Sequence, residues 1–197
     1  GGACLVVVTS LYHENASRVW NDLRDHWIRA TQKRERSIHP KFHPGVVLLS
    51  KMPTQDLVRL YKTMDAFVLP SRGEGWGRPY MEAMAMGLPV IATNWSGPTA
   101  FVTEENGYLL PATGLVDANL DAFPGHKWAE PDMNALKEIM VHLRDYPQDG
   151  KVKGNRGNQD VIEKWSHRAM ADVVARELER LTLGVDHVDR SSSNEEL

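Results

Sequence analysis

Glu74 and Glu82 stand eight positions apart on either side of a glycine-rich turn, Gly73-Glu74-Gly75-Trp76-Gly77, that runs into Arg78-Pro79. Glycines at alternate positions let a backbone approach a ligand without Cβ obstruction, leaving N–H groups free to point at it. A helix beginning at Pro79 would add the positive end of its dipole, a combination suited to phosphate. From Pro79 to Ala92 the only charged residue is Glu82. A carboxylate in the first turn of such a helix can accept two hydrogen bonds from a vicinal diol such as a ribose. Glu74 can do the same for hydroxyls on a second sugar. The spacing matches a ligand with ribose at one end, diphosphate in the middle and sugar at the other. Each feature also has a plainer use. A first-turn Glu complements the dipole, turns need glycine in any case, and Ala83, Ala85 and Gly87 equally allow close helix packing. The spacing is neither G-x-G-x-x-G nor a Walker sequence. These residues by themselves reach a phosphate-containing ligand, with plain scaffold as the alternative.

Several elements are needed to position that turn. Cys4 to Thr9, Val46 to Leu49, Ala66 to Leu69, Val90 to Thr93 and Gly107 to Leu110 are short apolar runs of the kind that form buried parallel strands. Between them lie helical patterns. Val19, Trp20, Leu23, Trp27 and Ile28 recur at helical spacing, as do Leu57, Leu60, Tyr61 and Met64 after a start at Thr54. Pro79 to Met86 is a third helix, closed by Gly87. Thr99 to Val102 reads as a short helix, and Pro111 to Pro131 as an irregular excursion. Helices are predicted at Met133–Asp145, Lys151–Trp165 and Ser166–Leu181, the last capped by Ser166. The polar stretch from Gly184 reads as a disordered tail. Alternating strands and helices predict an α/β fold, a Rossmann-like doubly wound parallel sheet with flanking helices. Such sheets bind ligands at the carboxyl ends of their strands, and the glycine turn follows the third strand directly.

Composition narrows the partners. A chain of 197 residues is long enough for one domain with a real core, predicted over 1–183 with the tail at 184–197. A net charge of −3 leaves no basic stripe for nucleic acid. Cys4 is the only cysteine, so no intrachain disulfide or CxxC metal pair can form, which fits a reducing compartment without assigning one. No apolar run approaches the ~20 residues of a membrane span. The chain opens at Gly1-Gly2 and runs straight into a strand, the pattern of a piece of a longer protein.

Glu74 to Glu82, with the following AMAMGLPVIAT, resembles the E-x7-E signature of retaining glycosyltransferases of the GT-B fold, family 4 (group 1) type. The resemblance extends upstream through LYKTMDAFVLPS and downstream through NGYLLP to the final helices, from about Leu5 to Leu181. It implies the C-terminal, donor-binding half of such an enzyme, with a second Rossmann-like domain preceding Gly1. The implied activity is transfer of a sugar from a nucleoside-diphosphate sugar to an acceptor with retention of anomeric configuration. By the same resemblance Glu82 binds the donor ribose, and Glu74 contacts the donor sugar and is the catalytic residue of this half. Gly75, Trp76 and Gly77 offer backbone groups to sugar and phosphate, with Arg78 and Pro79 beside the diphosphate. Ser50, Lys51 and Met52 border the base. Family members also use an Arg and a Lys near the start of this domain, in a segment that would precede Gly1; Arg72 and Arg78 are nearby cations. The implied partner is a nucleotide sugar, bound as substrate, with no other cofactor. No D-x-D pair occurs, so a metal-bound donor is not supported. On this reading the chain alone turns over nothing.

Other residues lead less far. His39 and His43 share a helical spacing, but Pro40 and Pro44 oppose a regular helix there, and no metal site is expected. Trp20, Trp27 and Trp165 read as packing residues, and Trp95, Ser96 and Gly97 as possible lining of the donor pocket. Asn15-Ala16-Ser17 and Asn94-Trp95-Ser96 match the glycan acceptor pattern by chance. Two further readings stay open: a GT-B-like sugar-nucleotide epimerase or phosphorylase, and a non-catalytic binding module.

Overall fold

A computed structural model describes residues 4–9, 25, 45–50, 52–118 and 124–192. The chain divides into two compact units, Gly1–Arg59 and Leu60–Leu197, where the sequence predicts one domain over 1–183. In the first unit, β1 (Cys4–Thr9) and β2 (Gly45–Ser50) pair in parallel from Cys4 opposite Gly45 to Thr9 opposite Ser50. Their β-branched, apolar composition is what a parallel ladder requires. The helix expected around Val19 to Ile28 and the pair His39 and His43 lie outside the described residues, Asp25 excepted. Helix α1 (Thr54–Thr63) carries the chain into the second unit.

The second unit is built on a three-stranded parallel sheet, β3 (Phe67–Leu69), β4 (Val90–Thr93) and β5 (Tyr108–Leu110), in the order β3-β4-β5. All four residues of β4 are buried, as befits a central strand covered on both faces. Its Ile91 meets Tyr108, Leu110 and Leu136 in one cluster, with Val68, Ile139 and Leu143 packed at its edge. The α/β class and the parallel pairing agree with the sequence reading, within two separate parallel ladders among the described residues.

Helix α2 (Arg78–Ala85) connects β3 to β4 and buries Tyr80, Ala83 and Met84. It ends as predicted at Gly87, whose φ of 76° only glycine adopts without strain. Gly87 N–H donates to Met84 O (2.9 Å) and Leu88 N–H to Ala83 O (3.1 Å), the paired bonds of a Schellman stop. Its start differs from prediction. Arg78, not Pro79, is the first helical residue, so Glu82 falls in the second turn. The macrodipole acts mainly on the first turn, so dipole complementarity explains Glu82 less well than expected.

The excursion 111–131 contains a hairpin, β6 (Ala112–Asp117) with β7 (Lys127–Pro131), antiparallel and irregular between Ala112 and Gly114. All of β6 is exposed, so it carries no apolar alternation by which a sequence reading could find it. Helix α3 (Met133–Asp145) matches prediction, its Asp132 carboxylate accepting from the N–H groups of Asn134 and Ala135. Helix α4 (Pro147–Asp160) starts four residues before the predicted Lys151 and gives way to a π-turn over Val161–Trp165. Helix α5 (His167–Ser192) begins with Ala169 N–H donating to Ser166 Oγ (3.2 Å), the predicted cap. It continues through Gly184 to Ser192, correcting the expected disordered tail over that span. One interior glycine costs roughly 1 kcal/mol, too little to stop a helix whose preceding turns are already formed.

Candidate functional site

The glycine turn is fastened at both ends. At its start, Ser71 N–H closes a tight turn onto Leu69 O (2.9 Å). Tyr80, fully buried in the first turn of α2, donates its hydroxyl to the same Leu69 O (2.5 Å) and lies 3.2 Å from Ser71 Oγ. Burial raises the Tyr80 pKa. A neutral phenol that donates is what an apolar, strand-end setting requires. The Tyr80 ring packs edge-on against Phe67, which packs in the same way on Tyr61.

In the middle, a second loop grips the backbone of Glu74. Glu74 N–H donates to Ser96 Oγ (3.0 Å), Ser96 Oγ donates to Glu74 O (3.1 Å), and Gly97 N–H donates to Glu74 O (3.1 Å). The loops lie so close that a Cβ on Gly97 would stand 2.7 Å from both Gly75 O and Trp76 Cα. Ser96 adopts φ 56° and ψ −145°, and among the described residues it alone has positive φ without being glycine. At the end of the turn, Gly77 caps α2 with φ 93° and supplies no side-chain cap. A Cβ there would sit 2.7 Å from the Tyr80 ring.

The N–H groups of Gly75, Trp76, Gly77 and Arg78 consequently donate to no acceptor among the described residues. They lie in sequence at the positive end of α2. Unpaired N–H groups at a helix start are the chemistry that suits an anion.

The carboxylates flank it. Glu74 is half-buried, and its carboxylate forms no hydrogen bond or ion pair with a described residue. Glu82 is more exposed and lies 4.0 Å from Arg78, one turn earlier. The Tyr61 phenol is pushed up to about 12, by burial first and then by the neighbouring charge of Glu82. Tyr61 therefore stays a neutral phenol near the Glu82 carboxylate. Sequence reading placed Tyr61 only on an apolar helix face, because a tyrosine at helical spacing carries no sign of what its hydroxyl meets.

The other predicted residues fall as follows. The Trp76 ring packs against Phe101 (5.3 Å between centroids) and Trp165 (5.1 Å), and its Nε1–H points to Met81 Sδ (2.9 Å). Its side chain anchors the turn, leaving the backbone for a ligand, and Trp165 is a packing residue as predicted. Pro79 is the second helical residue, where its missing N–H removes no intrahelical bond. Arg72 is taken up by Glu130 of β7 at 2.8 Å, whereas Arg78 stays largely exposed beside the cradle. Ser50 and Met52 belong to the first unit and Lys51 lies outside the described residues, so the site described here is Glu74 to Glu82 with Ser96 and Gly97. Among the described residues no group of acidic, His or Cys side chains could hold a metal ion, and no helix is long and apolar enough to cross a membrane.

Comparison with known proteins gives a consistent picture. A family model described as "Glycosyl transferases group 1" matches residues 14–123. A GDP-mannose-dependent monoacylated alpha-(1-6)-phosphatidylinositol monomannoside mannosyltransferase of Corynebacterium glutamicum is 30% identical over 135 residues, 65% of this chain and 31% of that protein. Sucrose-phosphate synthase 4 of Arabidopsis thaliana is 35% identical over 116 residues, 56% of this chain and 10% of that protein. The chain thus spans a third or less of the length of these relatives. Among solved structures, Anabaena HepE in complex with UDP superposes with a TM-score of 0.64 at 18% identity, over 90% of this chain and 41% of that one. Sucrose-phosphate synthase from Thermosynechococcus elongatus gives 0.60 at 21% identity, over 91% of this chain and 39% of that one. These likenesses show the fold, a Rossmann-like α/β arrangement of the glycosyltransferase kind.

Proposed function

Because this chain belongs to the group 1 glycosyl transferases, we propose that it is the donor-binding part of an enzyme moving a sugar from a nucleoside-diphosphate sugar to an acceptor. The observation that carries this reading is the run of four unpartnered N–H groups, Gly75 to Arg78, between the carboxylates of Glu74 and Glu82. The solved HepE structures in complex with UDP and with UDP-glucose support it by the likeness of their fold.

Each group then has a role. The N–H groups, the start of α2 and the Arg78 guanidinium stabilise the diphosphate. Glu82 accepts from the ribose hydroxyls at the nucleotide end. Glu74 accepts from hydroxyls of the donor sugar. The E-x7-E resemblance assigns Ser50, Lys51 and Met52 to the base. The reaction breaks the bond between the anomeric carbon and the diphosphate oxygen, and charge accumulates on the departing phosphate. Donors fixed in advance around that charge lower the barrier, since they need no reorganisation as the bond breaks. Retention of anomeric configuration follows from the E-x7-E resemblance, as does a donor bound without metal.

Titration of the chain with UDP and GDP tests the reading. Binding of one of them, lost on Glu82→Ala and weakened when the ribose hydroxyls are removed from the ligand, is the expected result. No binding of either, or affinity indifferent to Glu82, favours a non-catalytic module instead. Transfer from a labelled donor by the full-length protein, with product configuration read by NMR, distinguishes a retaining transferase from an epimerase or phosphorylase.

A further inference from the structure

Resting on the reading above, we propose that Ser96 is a positioning residue for Glu74, setting how the site engages the sugar half of the donor. Its hydroxyl bonds both backbone polar groups of Glu74, accepting from its N–H at 3.0 Å and donating to its O at 3.1 Å. Gly97 N–H adds a third bond to the same carbonyl at 3.1 Å. No other side chain among the described residues bonds the backbone of Glu74. The clamp therefore fixes the φ and ψ of Glu74, and with them the direction in which its unpaired carboxylate leaves the chain.

The backbone of Ser96 argues that the hydroxyl matters. At φ 56° and ψ −145° a residue with a Cβ is strained, and glycine would occupy the position at no steric cost. The next residue is a glycine required by close approach, so the chain already uses glycine here where contact alone decides. Serine at position 96 carries strain, and what it adds over glycine is the pair of bonds to Glu74. Glu82 makes no hydrogen bond or ion pair with Ser96, so the clamp acts first on Glu74 and the sugar end of the site. The loop position is fixed from the other side too, Asn94 N–H donating to Leu110 O (2.8 Å) and Thr99 Oγ1 to Ser96 O (2.7 Å).

The test compares two ligand pairs, UDP with UDP-glucose and GDP with GDP-mannose, by calorimetry on the full chain. The quantity read is the ratio of sugar-nucleotide to nucleotide affinity. Ser96→Gly removes both the hydroxyl and the strain, and Ser96→Ala removes the hydroxyl alone. Both are expected to lower the ratio about tenfold, the loss expected for one to two hydrogen bonds, any change in nucleotide affinity itself being divided out of the ratio. In a Glu74→Ala background, Ser96→Gly is expected to have no further effect on the ratio. Thermal melting checks folding, and Ser96→Gly, being relaxed, remains informative if Ser96→Ala unfolds. An unchanged ratio in Ser96→Gly, or a loss that persists without the Glu74 carboxylate, overturns the inference while leaving the nucleotide-binding reading intact. Absence of binding by the unaltered chain to all four probes overturns both.

Discussion

The Glu74 and Glu82 carboxylates are eight residues apart in sequence, yet different partners hold them. Glu82 lies beside the Arg78 guanidinium, whereas Glu74 is held through its own backbone. Arg78→Ala is accordingly expected to weaken nucleotide binding several-fold, roughly one hydrogen bond from a charged group, with the sugar-dependent ratio unchanged. Calorimetry with the same four ligands checks this. Gly77→Ala is expected to destabilise by about 1–3 kcal/mol, because φ 93° is strained for alanine and the new methyl would meet the Tyr80 ring. Tyr80→Phe removes the bond to Leu69 O and is expected to cost about 1 kcal/mol, read from the urea midpoint. Both carboxylates were legible in the sequence as a pair. The support of Glu74 was not, since nothing in a serine codon position states which distant group it touches.

Helix α4 shows why element boundaries were harder. Its glycines at 150, 154 and 157 share one face. A Cβ on Gly154 would collide with Gly87 O and lie 2.9 Å from Pro89 N, and one on Gly157 would lie 3.1 Å from Asn106 O. Asn158 Nδ2 meanwhile donates to Ala85 O (2.7 Å), satisfying a carbonyl at the end of α2. The helix thus sits directly on the stop of α2, where only glycine allows the approach. Three glycines would ordinarily argue against a helix, at roughly 1 kcal/mol each, yet the helix begins at Pro147, four residues before the predicted Lys151. Gly154→Ala inverts the usual sign. Propensity alone predicts a gain of roughly 1 kcal/mol, whereas overpacking against backbone predicts a net loss of about 1–3 kcal/mol. Thermal and urea unfolding decide between them.

Within the second unit, a buried carboxylate ties segments far apart in sequence. Asp160, almost wholly buried at the end of α4, accepts from Asn106 Nδ2 (2.9 Å) and pairs with Lys164 (2.6 Å) and Arg156 (3.4 Å). Asn106 in turn donates to Phe101 O and accepts from Thr103 N–H. Burial pushes the Asp160 carboxyl up, but the bonds from Lys164 and Asn106 outweigh it and hold the group below its ordinary value. A depressed folded-state pKa contributes stability above the unfolded value of about 3.9, and that contribution is lost as pH falls through the lower, folded value. Unfolding midpoints measured from pH 7 down to 3 should therefore fall at the acidic end. Asp160→Asn should be less stable at pH 7 and flatter across that window; an equally steep acid dependence would remove Asp160 from the account. At the far end of the unit, α5 exposes Met170, Val173, Val174, Leu178 and Leu181, the apolar stripe its sequence spacing predicts.

By itself the sequence determined the α/β class, the three strands of the second unit, the helices that show apolar periodicity and the pair of glutamates around a glycine turn. These are local properties, set by β-branched runs, helical spacing and residues that only certain turns accept. Only the tertiary structure decided that Glu82 stands in the second turn of its helix, that Tyr61 lies near it, that Ser96 grips Glu74 and that four N–H groups are left unpartnered. Each of those depends on which distant segments are brought within hydrogen-bonding distance, and spacing along the chain does not encode that. The hairpin of β6 and β7 escaped for a related reason: its exposed β6 presents no apolar period by which a sequence announces its elements.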